Sequence, residues 1–391
     1  MASSLTAPSP AVVREQAAAH TSTATIPWYI WCAVFAVTSA MIGGHWDISW
    51  HRSIGRDTFW TPAHIAIYLC GVVGGLTCAY LILSRTFGAV KDEATVAMWG
   101  FRAPLGAFLV AWGGVAMLTS APFDDWWHNA YGLDVKIVSP PHALLILGVA
   151  MVITGALILT LGHMNRAQGP VKSRLNAIFL YIGAMLIVLV MVFLMELTGR
   201  IQMHTAAFYQ RIAVAVPVVL AGLARASGLR WAATITTGIY SLFLILCILI
   251  LPLFPAEPKL GPVYYPVTHF VPPDFPLLLI VPAVLLDLLW RKTEGWSSWL
   301  LAVVSGVVFV GAFVAVQWPF ANFLMSDGAR NAFFGAHYFG YYTHPQSYLF
   351  RRVFLPTEPH FIQGMALALA FAIVSMRAGF AWGNWMRLIR R

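Results

Sequence analysis

Charge is scarce in this chain: Asp, Glu, Lys and Arg together supply 10% of its 391 residues, and only 15 of them are acidic. A soluble multi-domain protein of this length cannot cover its surface with so few charges, so that class is excluded. Cysteine is sparse too. Cys32, Cys70, Cys78 and Cys247 all fall inside apolar runs with no pair spacing. They read as packing residues rather than as a disulfide set or a thiolate metal site. The shortage of acid leaves a net charge of +9. No basic surface interleaved with aromatics goes with it, so no nucleic-acid partner is expected. In a membrane protein such residues mark cytoplasmic loops instead.

Apolar sequence is abundant, with 59% hydrophobic residues and a mean hydropathy of +0.74. A membrane helix needs about 20 apolar residues, and on that rule ten spans are predicted, near 27–45, 62–84, 97–119, 141–163, 176–196, 208–226, 231–253, 275–291, 297–317 and 360–378. The expected fold is an all-α polytopic membrane protein with about ten transmembrane helices in one bundle. Residues 1–26, rich in Ala, Ser, Thr and Pro, are expected to form a flexible cytoplasmic tail rather than a cleaved signal. Residues 27–391 show no domain break. With the N-terminus inside, 15 of the 24 Lys and Arg residues lie on the inner side, which favours both termini in the cytoplasm of a multi-pass cell-membrane protein. Ten of the 12 His then fall on or near the outer, periplasmic side, all but His20 and His163. The outer face is therefore the expected chemical face. The outer connection 318–359 is long and aromatic; it can cover a site or simply anchor at the interface.

Polar residues concentrate in two blocks. The first runs from His45 to His64 and holds three His, two Asp and two Arg between apolar runs. The second runs from Asp124 to Asp134 and on to His142. Both read Asp-x-x-Trp-His-x-x-x-Gly-x-Asp, followed by the His of a Pro-x-His or Pro-Pro-His. Polar groups at a bilayer edge are costly unless something binds or pairs with them. Asp47 and His51 are four apart, as are Asp124 and His128, so each pair shares one helix face if its helix continues past the bilayer edge. His64 and His142 follow beside prolines at the start of the next helix. Each block can thus converge one carboxylate and two imidazoles, a donor set that suits copper, zinc or iron. The six candidate metal-binding and catalytic residues are Asp47, His51, His64, Asp124, His128 and His142. Asp57 and Asp134 can orient a ligand imidazole, or Asp57 can pair with Arg52 or Arg56. Trp50 and Trp127 can shield the sites or anchor at the interface.

The block Asp47-x3-His51-x12-His64, with Arg56-Asp57-Thr58 and Thr61-Pro62 between, resembles the copper-binding segment of the C subunit of the membrane-bound methane and ammonia monooxygenases. That family has a second set, usually Asn-x3-His-x13-His; here Asp124, His128 and His142 match its spacing, with Asp in place of Asn. The resemblance covers residues 27–163, and 164–391 hold further spans with no counterpart. It implies copper and O2 chemistry. It does not imply methane or ammonia as substrate, because the family works as a complex of three subunits, one bearing a soluble copper domain that has no equivalent here.

The expected function is a copper-dependent membrane monooxygenase that hydroxylates a small apolar or lipid-like substrate. Its electrons would come from a quinol or another donor, with membrane lipid and possible additional subunits as partners. Two alternatives stand beside it: a zinc-dependent membrane hydrolase, and a non-catalytic copper-binding subunit of a larger complex. Further outer residues are weaker candidates. Glu196 can ligate, relay protons or pair with Arg200, the last being favoured; His204, His269, His337, His344 and His360 read mainly as structural.

Overall fold

In lipid a backbone must satisfy its own hydrogen bonds, and apolar runs of this length do so as helices. The computed structural model describes residues 25–55, 57–88, 94–132, 139–198, 202–259, 267–334 and 358–390, side chains of 195–198 excepted. Nearly all of the expected tail, residues 1–24, lies outside them. The helices are α1 (Trp28–Ser53), α2 (Pro62–Phe87), α3 (Leu105–Tyr131), α4 (Pro140–Met164), α5 (Gly169–Thr198), α6 (Ala206–Ser227), α7 (Ala232–Ile250), α8 (Ile280–Lys292), α9 (Ser298–Leu324) and α10 (Phe361–Met386). Eight of them, α2 to α7 with α9 and α10, are long and apolar enough to cross a membrane. The chain is thus an all-α bundle of the multi-pass membrane type.

Two of the ten predicted spans fall short of that criterion for different reasons. α1 has the length, 26 residues, but Trp, Tyr and His dilute its apolar character. α8 has only 13 residues, roughly 20 Å of helix against a hydrocarbon core of about 30 Å. The third span also starts later than predicted. Strands β1 (Val96–Met98) and β2 (Phe101–Ala103) form an antiparallel hairpin, with Ala97 opposite Arg102. Its turn places Trp99 at φ 50° and Gly100 at φ 84°, a left-handed pair that helix cannot accommodate. The apolar content of that stretch hides a turn signal, and the helix begins only after Pro104.

Helices in lipid have little hydrophobic drive to associate, so close backbone approach takes its place. α3 and α4 pack through two glycine pairs. A Cβ on Gly113 would lie 2.7 Å from the Gly148 carbonyl, and one on Gly155 would lie 2.7 Å from that of Gly106. Gly114 makes the same kind of approach to Gly71, 2.8 Å, joining α3 to α2. α10 meets α6 through Gly379 and Gly383, whose added Cβ atoms would meet the Val218 and Gly222 carbonyls at 2.6 and 2.7 Å. α1 packs on α2 and α4, and α5 connects this first group to α6 and α7. Large apolar residues such as Leu76, Tyr80, Val115 and Leu242 remain exposed, as a lipid-facing surface requires.

Because α1 and α3 end where α2 and α4 begin, both polar blocks lie at one end of the bundle. Gly113→Val should drive α3 from α4 and lower the thermal midpoint of the detergent-solubilised protein. Gly311→Ala, whose added carbon meets nothing within 4 Å, should leave it unchanged.

Candidate metal centres

Each block is built from a helix that stops and one that starts. α1 runs on through Asp47 and His51 to Ser53, and α3 through Asp124 and His128 to Tyr131. That extension puts carboxylate and imidazole one turn apart on one face. The glycine shared by both blocks then ends each helix. Gly55 sits at φ 83° and Gly132 at φ 89°, conformations that a side chain would strain. Their N–H groups donate to Trp50 and His128 carbonyls at 3.1 and 3.0 Å. The next helices open on Pro62 and Pro140, where a missing N–H costs nothing. Ser139 caps α4 by accepting the His142 N–H at 3.4 Å.

In the first block the predicted residues come together. His64 Nε2 lies 3.1 Å from Asp47 Oδ1, and His51 Nε2 lies 3.8 Å from Asp47 Oδ2. Asp57 joins them: its Oδ2 is 3.1 Å from His64 Nε2 and 3.4 Å from His51 Nε2. Asp47, Asp57 and His64 can each place one donor atom within 4.8 Å of the others, with His51 at the more exposed edge. Burial pushes the Asp57 carboxyl upward, but the hydrogen bonds and positive charge of His51 and His64 outweigh it and hold it well below the usual carboxylate range. Two buried atoms, Asp47 Oδ1 and His64 Nδ1, have no hydrogen-bond partner among the described residues. The short approach of His64 to Asp47 Oδ1 is thus one of charge and proximity rather than of hydrogen-bond geometry.

The second block is looser. Asp124 Oδ1 lies 3.8 Å from His128 Nε2 and 3.5 Å from His142 Nε2. Asp134, the counterpart of Asp57, lies outside the described residues.

The two blocks share their surroundings. A cavity of about 430 Å³ is lined by Asp57, His64 and Tyr68 on one side and by Asp124, Asp125 and His128 on the other. A smaller apolar chamber of about 110 Å³, walled by Met41, Ile67, Val149 and Phe193, touches one candidate ligand of each block, Asp47 and His142. Of the candidate ligands, His64, Asp124 and His128 thus face the polar space, Asp47 and His142 the apolar one, and His51 neither.

The connection after α7 clamps the first block from outside. Ser49 donates its hydroxyl to the Val271 carbonyl at 2.6 Å, and the Val271 N–H donates to Ser53 Oγ at 2.7 Å. The Lys259 N–H adds a bond to the Ile54 carbonyl at 2.9 Å. Both serines are buried and flank His51 on α1. No pattern within the block announces this clasp, because its partners lie over 200 positions away in the chain.

Other candidates find ordinary roles. His45 bonds the Met41 carbonyl and packs edge-on against Phe243. His204 bonds Asn322, His163 bonds the Tyr29 hydroxyl, and His269 bonds the Thr268 hydroxyl. His360 stands at the start of α10. Trp50 packs on Phe270, and Trp127 on Tyr131; neither lines the polar cavity. His20, Arg56, Arg200, His337 and His344, and the side chain of Glu196, lie outside the described residues.

Comparison with known proteins returned no match: no family model, no curated protein and no solved structure.

Ser53→Ala should loosen the clasp, costing about 1 kcal/mol of stability, and should weaken metal retention, measured by thermal melting and metal analysis. The depressed Asp57 carboxyl stabilises the metal-free fold at pH values above the ordinary carboxylate range. That stability should be lost as pH falls below about 4. Asp57→Asn should flatten the acid limb of a thermal-midpoint profile recorded after chelation.

Proposed function

We propose that the chain is a copper-dependent monooxygenase of the cell membrane that hydroxylates a small apolar or lipid-like molecule. One observation carries this reading: imidazoles and carboxylates of the two repeated blocks line two spaces of opposite character, Asp57, His64, Asp124 and His128 a polar cavity and Asp47 and His142 an apolar chamber. The mixed nitrogen and oxygen donors fit copper, as they fit zinc or iron, and the motif resemblance to the monooxygenase C subunits favours copper. Asp47, His51 and His64 would hold one ion, and Asp124, His128 and His142 a second. When bound, reduced copper supplies the electrons and open positions that O2 activation requires.

The remaining roles belong to the chain. Met41, Ile67, Val149 and Phe193 bind an apolar substrate against Asp47 and His142 and exclude water from it. The chamber is small, which limits the part of a substrate that enters to a few carbon atoms. Asp125 is exposed and lines the polar cavity beside Asp124 and His128. Tyr68 donates its hydroxyl to the Phe59 carbonyl at 3.1 Å, and its ring lies 6.0 Å from that of His64, which keeps the imidazole in place. A quinol or other reductant and further subunits complete this reading, with ten spans, both termini cytoplasmic and the blocks on the outer side.

His51→Ala and His128→Ala should each lose bound copper and copper-dependent O2 consumption while still inserting. Full turnover in both would refute the mechanism. Val149→Trp should fill the chamber and cut substrate turnover at least about tenfold with metal content unchanged. A zinc hydrolase would instead turn over without O2, and a non-catalytic copper subunit would retain metal with no turnover in the purified chain.

A further inference from the structure

We propose that Asp57 is a fourth protein ligand of the first centre, making it a closed site of two carboxylates and two imidazoles for a divalent cation. This rests on the reading that the first block binds metal, and it goes beyond the one-carboxylate set that the motif supplies.

The imidazole nitrogen that Asp57 faces distinguishes a ligand from an orienting group. A carboxylate that merely orients a metal-bound His accepts from the ring nitrogen remote from the metal. Asp57 does not occupy that position. Its Oδ2 meets Nε2 of both His51 and His64, the same nitrogens that face Asp47. The remote nitrogen of His64, Nδ1, is buried and has no hydrogen-bond partner among the described residues. Asp57 therefore lies on the metal side of both rings.

The spacing agrees. Four donors set tetrahedrally about 2.0–2.1 Å from one ion are separated from each other by about 3.3–3.4 Å. The four carboxylate–imidazole approaches here are 3.1, 3.1, 3.4 and 3.8 Å. Asp47, Asp57 and His64 already place one donor each within 4.8 Å of one another, and His51, outside that group and nearer the other Asp47 oxygen, swings inward to complete the set around a cation.

Charge completes the case. The Asp57 side chain is 5% exposed, and a buried charge must be compensated. Asp47 and Asp57 together neutralise a divalent cation, whereas a monovalent one would leave a net negative charge at the membrane edge. Oxygen donors also suit a divalent ion better than cuprous copper. The site is thus matched to a divalent cation, and its four protein donors leave no tetrahedral position vacant, so the O2 chemistry of the proposed function falls to the second block with its three ligands.

The test uses the full chain in lipid nanodiscs with His128→Ala and His142→Ala to silence the second block. After chelation it is titrated with Zn(II) by competition, with Cu(II) followed by electron paramagnetic resonance, and with Cu(I) anaerobically. Asp57→Asn is expected to weaken Zn(II) and Cu(II) at least about 100-fold, to weaken Cu(I) by less than about tenfold, and to change the Cu(II) g-values and hyperfine splitting. Unchanged divalent affinity, or weaker binding with an unchanged spectrum, would overturn the ligand assignment. If Asp57→Asn does not insert, Asp57→Glu carries the test: retained binding with a shifted spectrum supports ligation, and an unshifted spectrum sinks it. His64→Ala separates the two levels. If it abolishes binding while Asp57→Asn does nothing, only this inference falls; if it leaves binding intact, the first block is no metal site and the proposed function falls as well.

Discussion

At the end of α1, two carboxylates and two imidazoles are held against one another at 3.1–3.8 Å at the margin of a hydrophobic bundle. Water is the usual solvent for such groups, and the Asp57 and His64 side chains are largely withdrawn from it, at 5% and 14% exposed. Something else must compensate them, either each other or a cation. That constraint accounts for much of the local architecture: the helix carried on to Ser53, the left-handed Gly55 that turns the chain, and Pro62 that restarts it so that His64 points back. Each element is worth little unless the four side chains meet.

The rest of the bundle keeps that meeting place rigid. Glycine contacts bring α2, α3 and α4 to backbone distance, so the second block cannot drift from the first. A clasp from the far half of the chain ties Ser49 and Ser53 on either side of His51. Between the blocks lies a polar cavity, and behind Asp47 and His142 an apolar chamber. Donor atoms beside both an apolar and a polar space are the arrangement expected where an apolar molecule meets polar groups. On this structural ground, together with the motif, stands the proposal of copper-dependent oxygenation.

Much of this was legible in the chain. Long apolar runs separated by polar blocks announced a helical membrane bundle, and the repeated Asp, His, Gly and His offsets announced two equivalent corners. The i, i+4 pairs worked because helical pitch alone relates them. Legibility failed where local and distant forces competed. Trp99-Gly100 made a hairpin inside an apolar stretch that reads as helix, since a two-residue turn outweighs hydropathy over so short a length. Asp57 was ambiguous because three partners were within reach along the chain, and only its fold-back toward both Nε2 atoms distinguishes them.

By itself, then, the order of residues determined the class of protein, the location of most of its long apolar helices and the identity of the groups gathered at one end. Those properties depend on hydropathy and helical periodicity, which are local. Tertiary structure alone decided that Asp57 lies against both His51 and His64, that both blocks open on common cavities, and that Val271 and Lys259 brace α1. Those are relations between segments distant along the chain or folded back across a turn, and they follow from packing geometry, which no single window of sequence contains.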